Sequence, residues 1–173
     1  MSWVEIAILG GDSVAVAVQS EDDVFVGKFP NGPFDAFRVP VAHRRGSLPD
    51  LLSRVDDRDP STVEAALYKP SYPLALWRLP ASGYLVHVAA DLTMVSARMT
   101  GIVFVSVVDL KNRRACPDAQ LLAPTDPFPR ISFRGDTLLA LVQDETPAGE
   151  NRTLIRKYLV DTTNCIWQPA GER

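Results

Sequence analysis

The residues with most chemistry to offer are few and scattered. His43-Arg44-Arg45 brings an imidazole and two guanidinium groups into one short polar run. Arginine presents a planar fork that grips a carboxylate or phosphate through two hydrogen bonds, so this run is the candidate ligand-binding segment. Three adjacent residues do not make a constellation, and a solvated connector ahead of a helix accounts for them more simply. His87 is the second candidate, in the apolar run from Tyr84 to Ala89. Its side chain alternates against Tyr84, Val86 and Val88, a position more often held by a satisfied inner-strand histidine than by a ligand or base. A hydrolase or lyase reading would need polar groups converging on one channel, and His87, Asp91 and Arg98 would be its residues.

Other motifs fall short. Asp56-Asp57-Arg58-Asp59 lacks the glycine and downstream glutamate of an EF-hand, so it reads as a solvated turn. Asp22-Asp23 and Asp144-Glu145 sit at corresponding loop positions, where charged protection of sheet edges explains them as well as a shared role does. There is no G-x-S-x-G elbow, and Gly10-Gly11-Asp12 lacks both the lysine and the spacing of a phosphate loop. Asn151-Arg152-Thr153 is a glycosylation sequon that matters only on export. No catalytic residue, metal site or cofactor is therefore assigned. Cys116 and Cys165 are the only cysteines, outside any C-x-x-C pair. A disulfide between them requires an oxidising compartment, and two buried thiols are expected.

The elements that would carry these residues are short and mostly β. Fourteen prolines and ten glycines among 173 residues fall between apolar runs, which favours many turns over long helices. The net charge of -3, with acids and bases interspersed, gives no field that would attract nucleic acid or an anionic membrane. Glu5 stands where a signal peptide would be basic, and Ile6 to Leu9 is too short for its apolar core, so a cytoplasmic product is expected. An exported longer form is the alternative. The apolar stretch Ile102 to Val108 is too short to span a bilayer.

The sequence predicts a single all-β domain over 1–173, mainly antiparallel, built from three meander units at 3–41, 73–119 and 129–168. Gly11-Asp12-Ser13 and Gly135-Asp136-Thr137 open near-copies of one turn and apolar strand, and Gly83 marks the equivalent turn between them. In the first unit, Val14, Val16 and Val18 share one face, while Ala15 and Ala17 on the other let a second layer approach. The connection 42–72 breaks the β pattern with a helical insertion near 48–68. A short helix is expected over Leu48 to Val55, and a second opens on a capping box in which Ser61 accepts from Glu64. Thr93 to Arg98 is expected to be a loop, and Pro124 to Pro129 a hinge.

Arg134-Gly135-Asp136-Thr137-Leu138, the strand Arg156 to Asp161 and the closing Cys165-Ile166-Trp167 resemble blades of six-bladed β-propellers of the NHL and TolB-like kind. The resemblance implies antiparallel propeller-type meanders and no particular activity. Propellers close with four to eight blades, and this chain supplies about three. Three resolutions follow, in order of preference: part of a longer product, two copies completing one ring, or an open twisted sheet or sandwich. The expected function is a non-catalytic binding or interaction module, whose partner is a protein or a second copy meeting exposed blade edges. A subunit or remnant of a propeller hydrolase or lyase is the alternative.

Overall fold

Gly11, Gly83 and Gly135 hold φ values of 58°, 73° and 60°, a region where a side chain costs about 1–2 kcal/mol. Each closes the first hairpin of a meander. The computed structural model describes residues 4–19, 21–48, 55–56, 58–95, 98–125, 130–145 and 151–170, and within them these turns start three antiparallel sheets. The first sheet contains β1 (Val4–Gly10), β2 (Ser13–Val18), β3 (Asp23–Lys28) and β4 (Phe34–Arg38), in that order. After α1 (Pro60–Tyr68), the middle sheet is built from β5 (Ser71–Arg78), β6 (Leu85–Val95), β7 (Arg98–Asp109) and β8 (Arg114–Thr125). The third sheet holds β9 (Arg130–Arg134), β10 (Thr137–Glu145) and β11 (Asn151–Leu159). The chain then returns to the middle sheet, where β12 (Gln168–Pro169) pairs with β8.

Alternation along β6 explains why the sheets form layers. Leu85 joins a core with Ala15, Ala17, Val24 and Phe37 of the first sheet. Val86, Val88 and Ala90 face the other way and join Leu138, Ala140 and Val142 of the third. A strand apolar on both faces has to lie between two layers. The alanines of β2 do what their size predicts: Ala15 and Ala17 are buried, and they admit the middle sheet at close range. The fold is all-β with a single helix among the described residues, as the sequence leads one to expect. The three sheets are compatible with blade-like meanders.

Several local expectations need correction. The helix is capped by Asp59, whose carboxylate accepts from the Ser61 N–H and hydroxyl; Pro60 occupies the first helical position, which moves the cap two residues before Ser61. Leu48 and Val55 are not helical, and 49–54 lie outside the described residues. Thr93 to Val95 and Arg98 belong to one long hairpin, with Val95 paired to Arg98, because β-branched and apolar residues continue the ladder past the expected loop. Pro124 still belongs to β8, and 126–129 are outside the described residues. Cys116 and Cys165 form a disulfide with a Cα separation of 5.7 Å, so the expected thiols are absent. The fold itself brings the two residues together, since the chain end passes β8 on its way to pairing as β12.

Candidate functional site

The segment from Ala42 to Ser47 runs as a strap anchored to both the first and middle sheets. Its position follows from three carboxylates. Asp118 lies in β8, next to Pro117, which has no N–H to give a ladder. Pro117 and Asp118 together stand opposite Ser106, a bulge that aims Asp118 out of the regular alternation. Its carboxylate accepts from three successive backbone N–H groups, those of Ala42, His43 and Arg44, at 2.5, 2.8 and 2.7 Å. Asp91 of β6 accepts from the Arg45 N–H at 2.8 Å and the Ser71 hydroxyl at 2.6 Å. Asp22, in the β2–β3 turn, accepts from the Arg44 guanidinium at 2.7 Å and from both N–H and hydroxyl of Ser47 at 2.8 Å.

Gly46 completes the strap with a φ of 80°. A Cβ there would sit 3.2 Å from an Asp22 oxygen, while its N–H donates to Ser71 Oγ at 2.8 Å. Charge-assisted bonds of this kind are worth more than neutral ones because the buried oxygens have no water to fall back on.

The four candidate residues are therefore placed as follows. The His43 side chain is exposed, and its backbone N–H serves Asp118. Arg44 is buried and turned inward onto Asp22. Arg45 lies 3.5 Å from Asp91 and also donates to the carbonyls of Tyr68 and Leu92. His87 is buried on the same face of β6 as Asp91, four residues away, a separation of about 13 Å along a strand. The arginine forks thus meet carboxylates of the chain itself. Arg98 is placed by its backbone at the start of β7, and its side chain lies outside the described residues.

Burial pushes the His87 pKa down to about 3, and the nearby Arg44 charge pushes the same way against the weaker pull of Asp22 and Asp118. The ring is thus neutral across physiological pH, and among the described residues its Nδ1 has no hydrogen-bond partner. For Asp22, burial raises the pKa, but Arg44 and the Ser47 hydrogen bonds outweigh it and hold the carboxyl below its ordinary value. The arrangement holds a connecting loop between layers. Sequence reasoning missed Asp22, Asp118 and Ser71 as its anchors. The available signal was Cys116-Pro117-Asp118, a proline inside a strand run that calls for a bulge.

The acidic run near 56–59 is local: Asp56 accepts from the Arg58 N–H at 2.9 Å and Asp59 caps α1, while Asp57 is outside the described residues. No group of three potential ligand side chains clusters to hold a metal among the described residues. Among the described residues, no helix is long and apolar enough to cross a membrane.

Two recesses lie between the sheets among the described residues. An open groove of about 790 Å³ lies between Leu9, Gly10 and Ser13 of the first sheet and Arg78, Tyr84 and Asn112 of the middle one. A crevice of about 180 Å³ separates middle and third sheets beside Cys116, lined by Leu121, Leu138 and Tyr158. Trp77 and Arg78, at the end of β5, link the three glycine turns. Trp77 stacks on Phe133 at 5.6 Å and donates to the Gly135 carbonyl at 3.1 Å, while Arg78 donates to the Leu9 carbonyl.

The largest unexplained feature is the outer face of the first sheet. Ile6 and Ile8 are 62% and 78% exposed, and Val4 is 47% exposed on the same side of β1. Pairing places Val18, Val16 and Val14 beside them, then Phe25 and Ala36 beyond Val16. No protein-family model, curated protein or solved structure matches this chain.

Proposed function

We propose that the chain is a non-catalytic interaction module that meets a protein partner through its sheets. The observation that carries the reading is the apolar outer face of the first sheet, with Val4, Ile6 and Ile8 open to solvent. Contiguous apolar surface rimmed by polar residues is the usual mark of a protein contact. The anchoring of Arg44 and Arg45 on Asp22 and Asp91 supports a scaffold role for the strap. Burial keeps His87 neutral and away from solvent, which favours this reading over the hydrolase or lyase alternative.

The test is site-specific crosslinking in the intact chain, with a photo-reactive amino acid replacing Ile8 and, as control, replacing the exposed Lys111. The expected result is one or a few discrete adducts from position 8 and none from 111. Absence of a discrete adduct at position 8 would defeat the reading.

A further inference from the structure

We infer that the outer face of the first sheet is a two-fold interface with a second copy of this chain. The inference rests on the interaction reading above and names the partner. In β1, Ala7 faces inward with Leu9 packed beside it, leaving Val4, Ile6 and Ile8 outward. The register sets Val4 against Val18, Ile6 against Val16 and Ile8 against Val14. Next across the sheet, Val16 faces Phe25 and Val14 faces Gly27; on β4 these meet Ala36 and Phe34. Every outward position in that block is uncharged, and Phe34 is itself exposed. Asp23 and Arg38, paired with each other at 4.0 Å, close one end.

What fits such a surface is another apolar pleated face packed about 10 Å away. The chain already uses that packing twice, on both sides of its middle sheet. Its other outer face is a poor complement. On the third sheet, Leu139, Leu141, Ile155 and Leu159 share their side with Arg130, Arg134 and Lys157, by the pairing of β9, β10 and β11. Laying that side on the first sheet would press cations against an apolar layer, which is unfavourable without partners. Two copies of the first face meet without burying any unpaired charge, and an isologous contact is self-complementary by symmetry.

Size sets the class of contact. Four strands about 4.8 Å apart and about six residues long give a footprint of roughly 400 Å² on each copy. Two such footprints bury about 800 Å² in total, below the standard size of specific interfaces and in the range of weak, transient contacts, so the dimer is reversible.

The experiment is light scattering on the full chain from about 1 to 300 μM, a range in which weak, reversible association is populated. Wild type should move from its monomer mass of 19.0 kDa toward twice that value as concentration rises. Ile6→Lys combined with Ile8→Lys should stay monomeric throughout with an unchanged circular dichroism spectrum. Ile155→Lys combined with Leu159→Lys should dimerise like wild type. If the lysine pair on β1 perturbs folding, Ile8→Thr, which keeps a strand former, should weaken association at least fivefold instead. A wild-type monomer at every concentration overturns the inference, and so does dissociation by the β11 pair but not the β1 pair. A monomer that still gives a discrete adduct to another protein at position 8 overturns this inference and leaves the interaction reading standing; no adduct at all removes both.

Discussion

The two faces of the middle sheet are held by different physics. Toward the third sheet, Val86, Val88, Val103 and Leu122 pack on Leu138, Ala140 and Val142. Toward the first sheet, aliphatic contacts share the interface with buried Asp22, Arg44, Ser71, His87, Asp91 and Asp118. Apolar burial contributes roughly in proportion to area and has no directional requirement of its own. A carboxylate with three backbone donors admits one arrangement, since any slip strands a buried charge. The polar face thereby fixes how the layers dock, while the apolar face supplies adhesion with little orientation of its own.

That contrast breaks most readily at Asp118. Asp118→Ala leaves three strap N–H groups without their acceptor and should destabilise the fold by about 3–5 kcal/mol. Asp118→Asn keeps one oxygen and should cost less. On the apolar side, Leu138→Ala removes a fully buried side chain and should cost about 2–5 kcal/mol, softened by whatever collapse the crevice beside it allows. Urea unfolding of the three variants decides the matter. If Asp118→Ala costs under about 1 kcal/mol, the strap is not held as described.

The next largest effect belongs to the apolar side's covalent link. The Cys116–Cys165 bridge spans 49 residues, so closing that loop in the unfolded chain is worth about 4 kcal/mol by chain entropy, and removal typically costs about 2–4 kcal/mol. Cys116→Ala with Cys165→Ala should show that loss. It should also speed amide exchange in β11 and β12, because the bridge ties the chain end to β8 before β12 pairs there. The strap, anchored by Asp118 on the opposite face, should keep its protection. Equal loss of protection in the strap would show that the two faces are not separable.

The same division explains what could be read from the sequence. The hairpins were legible because their signals are local: Gly11, Gly83 and Gly135 each occupy a left-handed turn, and Ala15 and Ala17 alternate with valines. Arg44 and Arg45 drew notice as charged groups, yet their partners are 22 and 46 residues away in the chain. Asp118 is further still, 74 residues from Arg44. No periodicity carries such pairings. The bridge was hidden for the same reason, since the return of β12 to β8 follows from tertiary packing alone. The helix cap was a nearer miss, decided by one proline.

The smallest step is a pH slope, read one pH unit at a time, and it isolates the polar face. His87 has a pKa of about 3 in the folded chain against an ordinary imidazole value of 6.5, with burial the main cause and Arg44, Asp22 and Asp118 the charged groups acting on it. Above pH 6.5 the ring is neutral in both states and contributes no dependence. Between pH 6.5 and about 3 the unfolded chain binds a proton that the folded chain does not. Stability must then fall as pH falls, by about 1.4 kcal/mol per unit. Asp22 works lower down: its depressed pKa gives stability present above the ordinary carboxylate value of 3.8 and lost as pH drops through the folded value. Urea midpoints from pH 6.5 to 4.5 therefore read His87 with little contribution from Asp22. His87→Leu should flatten the profile in that window whatever it does to stability at pH 7. Leu138→Ala should lower the whole curve and leave its slope alone. A flat wild-type profile would mean that the imidazole meets water, and that the layer over it opens more readily than its buried carboxylates imply.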